Sequence, residues 1–119
     1  EKTNQNFLQI LKDCNIHLNP IKCGGDKKLN QEREQWTDGA NYFTLSPGII
    51  IGYDCNFNTI NELTKAGYEC IEATKFLKNN DPFNKHSKIM ISIPSAELSR
   101  GRGGARCLTL PLSRGIINE

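Results

Sequence analysis

The 119-residue chain is poor in the features that mark several classes of protein. No apolar run approaches the roughly 20 residues that span a bilayer, so we expect no membrane partner. A net charge of +2 is too small to favour binding to nucleic acid. The five cysteines are never closer than nine positions, whereas disulfide scaffolds and zinc sites show paired spacing. We therefore expect reduced thiols, a cytoplasmic location, no metal and no cofactor.

The overall composition is that of one small globular unit. With 37% hydrophobic and 24% charged residues, the chain can bury a core of ordinary size. It begins at Glu1, in a polar stretch without an initiator methionine. We therefore expect a carboxyl-terminal piece of a longer protein, with residues 1–119 forming the end of one domain.

Hydrophobic periodicity predicts an α/β chain. Helical spacing of apolar residues is found at 6–13 and 58–66, and two β-rich runs flank Ser46-Pro47-Gly48 as in a hairpin. The segment 27–34 is charged and is predicted to be a solvated connector. Further strands are predicted at 16–23, 68–73, 88–93 and 107–112.

These elements divide the chain into three parts. Residues 1–35 are expected to end one structural unit, and 36–98 to form a full strand-strand-helix-strand unit. A surface insertion near 74–92, with one helical turn at Phe76-Leu77, is expected within the full unit. Residues 99–119 are then expected to hold a functional loop and a closing strand.

The loop from Arg100 to Arg106 carries the most informative chemistry. Its glycines allow the backbone to pass close to a ligand, and it leads directly into Cys107. Guanidinium groups supply fixed positive charge, which favours a thiolate, and they bind carboxylates through two parallel hydrogen bonds. Glycine, arginine and cysteine in this order predict a nucleophilic sulfur beside an anion-binding group.

Three segments together resemble the carboxyl-terminal part of arginine deiminase. They are Glu-Gln-Trp-Thr-Asp-Gly-Ala-Asn at 34–41, Gly-Tyr-Asp-Cys-Asn at 52–56, and the segment 97–107 that ends at Cys107. The spacing of elements agrees with that family from about residue 24 to 114. The resemblance implies an α/β-propeller of the pentein type, built from strand-strand-helix-strand units around a central pocket. It also implies a hydrolase of arginine metabolism, with L-arginine as substrate and citrulline and ammonia as products.

The same resemblance implies roles for particular residues. Cys107 would attack the guanidinium carbon of arginine and form a covalent amidino-thioether. Arg102 would engage the substrate, while Gly101 and Gly103 would allow the loop to close on it. Arg106 is expected on the opposite face from Cys107, because neighbouring side chains of a strand alternate.

The signature at 36–41 is expected to be structural. This signature precedes a predicted strand and contains Trp36, Asp38, Gly39 and Asn41. Asp and Asn at such positions commonly cap backbone groups. We therefore place the candidate catalytic and substrate-binding residues in the loop that leads to Cys107.

Histidine is scarce, and neither of the two fits an acid-base role. His17-Leu18-Asn19 has an asparagine where the family's histidine motif carries aspartate, and His86 stands in a polar stretch. The acid-base histidine is therefore expected from the remaining amino-terminal units, either in the same polypeptide or in a separate chain. The isolated chain should then be inactive.

Two other functions are compatible with parts of the pattern. The chain could be a non-catalytic arginine-binding or scaffolding remnant of the same fold. Arginine-glycine repeats also bind RNA, but as long disordered tracts, whereas this chain has a single copy before an ordered-looking segment.

Overall fold

The computed structural model describes residues 6–78, 88–95, 97–113 and 115, which form a mixed α/β unit. Over these ranges the elements, in chain order, are α1 (Phe7–Asp13), α2 (Lys28–Trp36), β1 (Phe43–Ser46), β2 (Ile49–Tyr53), α3 (Phe57–Lys65), β3 (Glu69–Glu72), α4 (Ala73–Leu77), β4 (Ile89–Ile93) and a 3₁₀ turn (Leu98–Gly101). No helix within the described ranges has the length and apolar character needed to cross a membrane.

The four strands form one sheet in the order β1-β2-β4-β3. Strands β1 and β2 are antiparallel with a bulge between Thr44 and Ser46, which confirms the predicted hairpin. Strand β4 runs parallel to both of its neighbours, and Ile91 pairs with Ile51 on one side and Ile71 on the other. Because β4 is paired on both edges, it is buried along almost its entire length.

The core lies at the centre of this sheet. Ile49, Ile89 and Ile91 are buried together with Phe76 of α4. The helical turn predicted at Phe76-Leu77 is confirmed, but the surface insertion near 74–92 is only partly correct. Phe76 packs into the core and residues 89–92 belong to the central strand, while 79–87 lie outside the described residues.

Two predicted strands are wrong. The segment 16–22 has no strand pairing, and its apolar residues Ile16, Leu18 and Ile21 are exposed. The closing strand at 107–112 is also absent over the described residues. There the Cys107 and Leu108 amides both donate to the Gly104 carbonyl, at 3.0 and 3.3 Å, so the chain turns instead of extending. Apolar alternation alone does not make a strand when no neighbouring edge accepts it.

The segment 27–34 is not a connector. Most of it belongs to α2, and Glu34 near the end of that helix is only 5% exposed. The helix follows a tight turn at 23–26 and carries charged residues on its solvent side. It therefore brings the residues after it, from Trp36 to Asn41, to a fixed position beside the sheet.

Candidate active site

The candidate nucleophile Cys107 lies in the turn 105–108, with its side chain exposed. The turn packs directly on the segment before β1. A side chain at Gly104 would place its Cβ 2.8 Å from the Asn41 carbonyl oxygen and 2.7 Å from the Asn41 Cγ, so only glycine fits there. Glycine at 104 therefore allows the cysteine turn to approach Asn41.

Asn41 contacts the candidate nucleophile directly. Its side-chain Nδ2 donates to the Cys107 Sγ over 2.9 Å. Its backbone carbonyl accepts from the Arg106 amide over 3.5 Å. Asn41 was expected to have a structural role, and it also contacts the sulfur of the candidate nucleophile.

Gly103 is held by side chains from two other segments. Its amide donates to Asp38 Oδ2 over 3.1 Å, and its carbonyl accepts from the Tyr53 hydroxyl over 3.0 Å. Burial, with the nearby Asp38 and Cys107 as smaller contributions, raises the pKa of Tyr53. The hydroxyl consequently keeps its proton and serves as a donor. Gly103 has a φ of +115°, a conformation that other residues rarely adopt.

Arg102 is exposed and its guanidinium stacks on an aromatic ring. The guanidinium carbon lies 4.2 Å from the centroid of the Trp36 ring, which is a cation–π contact. The backbone of Arg102 has a φ of +65° and a ψ of +135°, which is unfavourable for a residue with a Cβ. The contacts at Gly103 and the stacking on Trp36 hold the chain in this conformation.

The turn that carries Asp38 and Asn41 is anchored through a buried carboxylate. Glu34 Oε1 accepts from the Asn58 backbone and side chain, both over 2.8 Å. Glu34 Oε2 accepts from the Thr59 amide over 2.8 Å and from its hydroxyl over 2.6 Å. Burial alone would raise the pKa of Glu34, but these four donors outweigh it and lower the pKa. Glu34 thus caps α3 with a charge that stays ionised.

A second pair of hydrogen bonds fixes the same turn. Asn56, only 1% exposed, donates from Nδ2 to the Thr37 carbonyl over 3.0 Å. The Thr37 hydroxyl donates in return to Asn56 Oδ1 over 2.5 Å. The segments at 34–41 and 52–56, which the sequence links only by resemblance, are therefore in direct contact in the structure.

The other predicted binding residues differ in their surroundings. Gly101 ends the 3₁₀ turn, and a Cβ added there would meet no atom within 4 Å. Arg100 is exposed and pairs with Glu97 at 3.3 Å. Arg106 was predicted to face away from Cys107 because neighbouring side chains alternate in a strand. Residues 105–108 form a turn, so this alternation does not apply.

Arg106 instead lines a cleft of about 690 Å³ beside the cysteine turn. Its lining residues come from the chain on both sides of α2, from α2 itself and from the cysteine turn: Lys22, Cys23, Gln31, Gln35, Asp38, Ala40, Asn41, Tyr42 and Arg106. The buried Tyr42 hydroxyl has no hydrogen-bond partner among the described residues, and burial strongly raises the pKa of Tyr42. Asn41 is the residue that both lines this cleft and contacts the Cys107 sulfur.

All five cysteines are free thiols, and they differ in exposure. Cys14 and Cys70 are exposed and not buried in the core, whereas Cys23 and Cys55 are partly buried. Exposure therefore does not distinguish Cys107 from the other cysteines. Its distinguishing features are the Asn41 donor and the arginine-bearing loop.

Of the two histidines, only His17 lies among the described residues, and it does not join the site. His17 is exposed in the extended segment 16–22, and His86 lies outside the described residues. Within the described ranges no three His, Cys, Asp or Glu side chains are grouped so that they could hold a metal ion.

The fold and the site define an α/β unit that presents a cysteine on a glycine- and arginine-rich loop. The family model described as arginine deiminase matches residues 1–114, and the chain belongs to that family. It is 36% identical to an arginine deiminase of Mycoplasma capricolum over 120 residues, which covers 100% of this chain and 25% of the relative.

Other relatives match to a similar extent. An arginine deiminase of Listeria innocua is 40% identical over 97 residues, covering 82% of this chain and 19% of the relative. One of Borrelia recurrentis is 39% identical over 113 residues, covering 95% of this chain and 22% of the relative. The chain therefore spans about a quarter or less of the length of the curated relatives it matches.

Proposed function

We propose that this chain is the carboxyl-terminal part of an arginine deiminase, an enzyme that hydrolyses L-arginine to L-citrulline and ammonia. In this enzyme Cys107 is the nucleophile. The observation that carries the proposal is the presentation of Cys107 in an exposed turn, with Asn41 donating to its sulfur at 2.9 Å. The membership of the arginine deiminase family supports the choice of substrate.

The proposed reaction has two covalent steps. The Cys107 sulfur attacks the guanidinium carbon of arginine, an S–C bond forms, and a C–N bond breaks to release ammonia after proton transfer to nitrogen. A water molecule then adds to the same carbon, and the S–C bond breaks as the C–O bond of citrulline forms. The sulfur leaves as thiolate, so the enzyme returns unchanged.

The proton transfers require an acid-base group from outside the described residues of this chain. We assign that group, with the carboxylates that bind the guanidinium, to the remaining units of an α/β-propeller in the reduced environment of the cytoplasm. This chain alone is then nearly inactive, because a nucleophile and its acid-base partner act as a unit.

We assign Arg102 to the substrate carboxylate. Its guanidinium is exposed and stacks on the Trp36 ring, beside a hollow that Glu32 and Gln35 also line. Arg102→Lys keeps the charge but loses the planar pair of donors. We expect kcat/KM for arginine in the complete enzyme to fall by roughly tenfold to a hundredfold, from the loss of about 1.5–3 kcal/mol for one charge-assisted pair.

Arg100→Lys is the matched control, since Arg100 is exposed beside Glu97. Equal, small losses in both variants would show that the arginines act only through their positive charge and that Arg102 does not bind the substrate carboxylate specifically.

The proposal is tested by citrulline release from arginine. A complete enzyme containing this chain should release citrulline, and Cys107→Ser should abolish the release while Cys14→Ser leaves it intact. Limiting iodoacetamide followed by peptide mapping should label Cys107 before Cys14 and Cys70, although all three are exposed. A folded, complete enzyme that binds arginine without releasing citrulline would instead support a non-catalytic remnant.

A further inference from the structure

The contact between Asn41 and Cys107 is unusually close for a hydrogen bond to sulfur. The distance from Nδ2 to Sγ is 2.9 Å, which is the ordinary length of an N–H···O bond although sulfur is the larger atom. A donor this close to the sulfur interacts most strongly with it when the sulfur carries a negative charge, as it does during the proposed reaction. A thiolate has no proton to give, so only the nitrogen of the Asn41 amide can face it.

The Asn41 amide has little freedom to turn away from the sulfur. Its backbone amide donates to the Asp38 carbonyl over 3.0 Å, and its carbonyl accepts from the Arg106 amide. The backbone at Gly104 packs against its Cβ and Cγ. The backbone and Cβ of Asn41 therefore make its structural contacts, while its Nδ2 donates a hydrogen bond to the Cys107 sulfur.

We propose that Asn41 is a further catalytic residue, whose side-chain amide stabilises negative charge on the Cys107 sulfur. This inference rests on the proposed function. The sulfur is anionic before it attacks the guanidinium carbon and again as the S–C bond of the thioether breaks. A donor fixed at the sulfur raises the thiolate fraction before the first step and assists departure of the thiolate in the second.

The first test is the pH profile of Cys107 alkylation in the complete enzyme. Iodoacetamide labelling of Cys107 is compared with labelling of Cys14 in the same molecule, in the wild type, Asn41→Leu and Asn41→Asp. Leucine removes the donor at similar size, and aspartate replaces it with a negative charge. The matched control is Asn61→Asp, which makes the same chemical change at an exposed position on α3.

We expect Asn41→Leu to label Cys107 about threefold more slowly at pH 7. A tenfold loss in the thiolate fraction is partly offset, because a more basic thiolate is roughly threefold more nucleophilic. Asn41→Asp should be slower still, and Asn61→Asp should match the wild type. The difference between Asn41→Leu and the wild type should close or reverse at high pH, where the sulfur is ionised in every variant.

A merely structural role for Asn41 predicts a different result. A displaced turn would change the labelling rate by the same factor at every pH, and that outcome would overturn the inference. Profiles for Asn41→Leu and Asn41→Asp that coincide with the wild type would also overturn it. Slow labelling of the partly buried Cys23 and Cys55, as in the wild type, shows that each variant has folded.

The second test separates this inference from the proposed function. With arginine as substrate, the Asn41→Leu enzyme should release citrulline more slowly than the wild type. The covalent thioether on Cys107, detected by intact mass, should also decay more slowly once it has formed, because departure of the thiolate is slowed. A wild-type enzyme that forms neither thioether nor citrulline would overturn the proposed function, while the alkylation profile would still decide the role of Asn41. Normal turnover and normal decay of the thioether in both Asn41 variants would overturn the inference alone.

Discussion

Replacing Glu34 by glutamine should destabilise the chain although the side chain keeps its size. In the wild type the Glu34 carboxylate accepts four hydrogen bonds at the start of α3, all from Asn58 and Thr59. In Glu34→Gln the amide oxygen can still accept from Asn58, but the amide nitrogen faces the Thr59 amide, and two donors then oppose each other. The negative charge at the helix N-terminus is lost as well.

The expected loss of stability follows from these contacts. A buried donor without a partner costs about 1–3 kcal/mol, and the lost charge at the helix terminus costs about 0.3–2 kcal/mol. Removing the charge also removes its desolvation cost, so we expect a net loss of about 2–3 kcal/mol. Glu34 is only 5% exposed, so solvent screens these interactions little.

The effect should depend on pH in a defined direction. The pKa of Glu34 in the folded chain is lowered from the ordinary value of 4.5. Its ionised form therefore contributes stability at and above pH 4.5, and that contribution is lost as the pH falls below 4.5 through the lower, folded pKa. The difference between the wild type and Glu34→Gln should be full at pH 7 and shrink below pH 4.5.

Urea unfolding followed by circular dichroism measures this difference. With a slope of about 1–3 kcal/mol per molar urea, the midpoint should fall by roughly 0.7–3 M at pH 7. The matched control is Glu32→Gln on the same helix, where the carboxylate is exposed and its Lys28 partner is 3.8 Å away, so the midpoint should not change. Equal midpoints for the two variants at pH 7 would refute the assignment of Glu34 as the cap of α3.

Two further substitutions test how the cysteine turn is held. Gly104→Ala should slow alkylation of Cys107 and arginine turnover, since its Cβ would lie closer than 3.0 Å to Asn41, whereas Gly115→Ala meets no atom within 4 Å and should change neither. Tyr53→Phe removes the donor to the Gly103 carbonyl and should lower the free energy of unfolding by about 1 kcal/mol in urea titration. An unchanged midpoint for Tyr53→Phe, or wild-type labelling in Gly104→Ala, would contradict these contacts.

The amino-acid sequence by itself determined the elements whose signals are local. A proline-glycine turn between β-rich runs is enough to predict the β1–β2 hairpin, and helical spacing before Gly67 is enough for α3. The loop that leads to Cys107 was also found from sequence, because glycine, arginine and cysteine occur there in one short segment.

Only the tertiary structure decided which distant residues meet. Asn41 and Cys107 are 66 positions apart, and Glu34 lies 25 positions from Thr59, so no periodic pattern links them. The strands predicted at 16–23 and 107–112 fail for the same reason. A strand needs a partner edge as well as apolar alternation, and among the described residues neither segment pairs with β1 or β3, the two edge strands of the sheet. The candidate site consists of side-chain contacts between residues far apart in sequence, and such contacts form only when the chain folds.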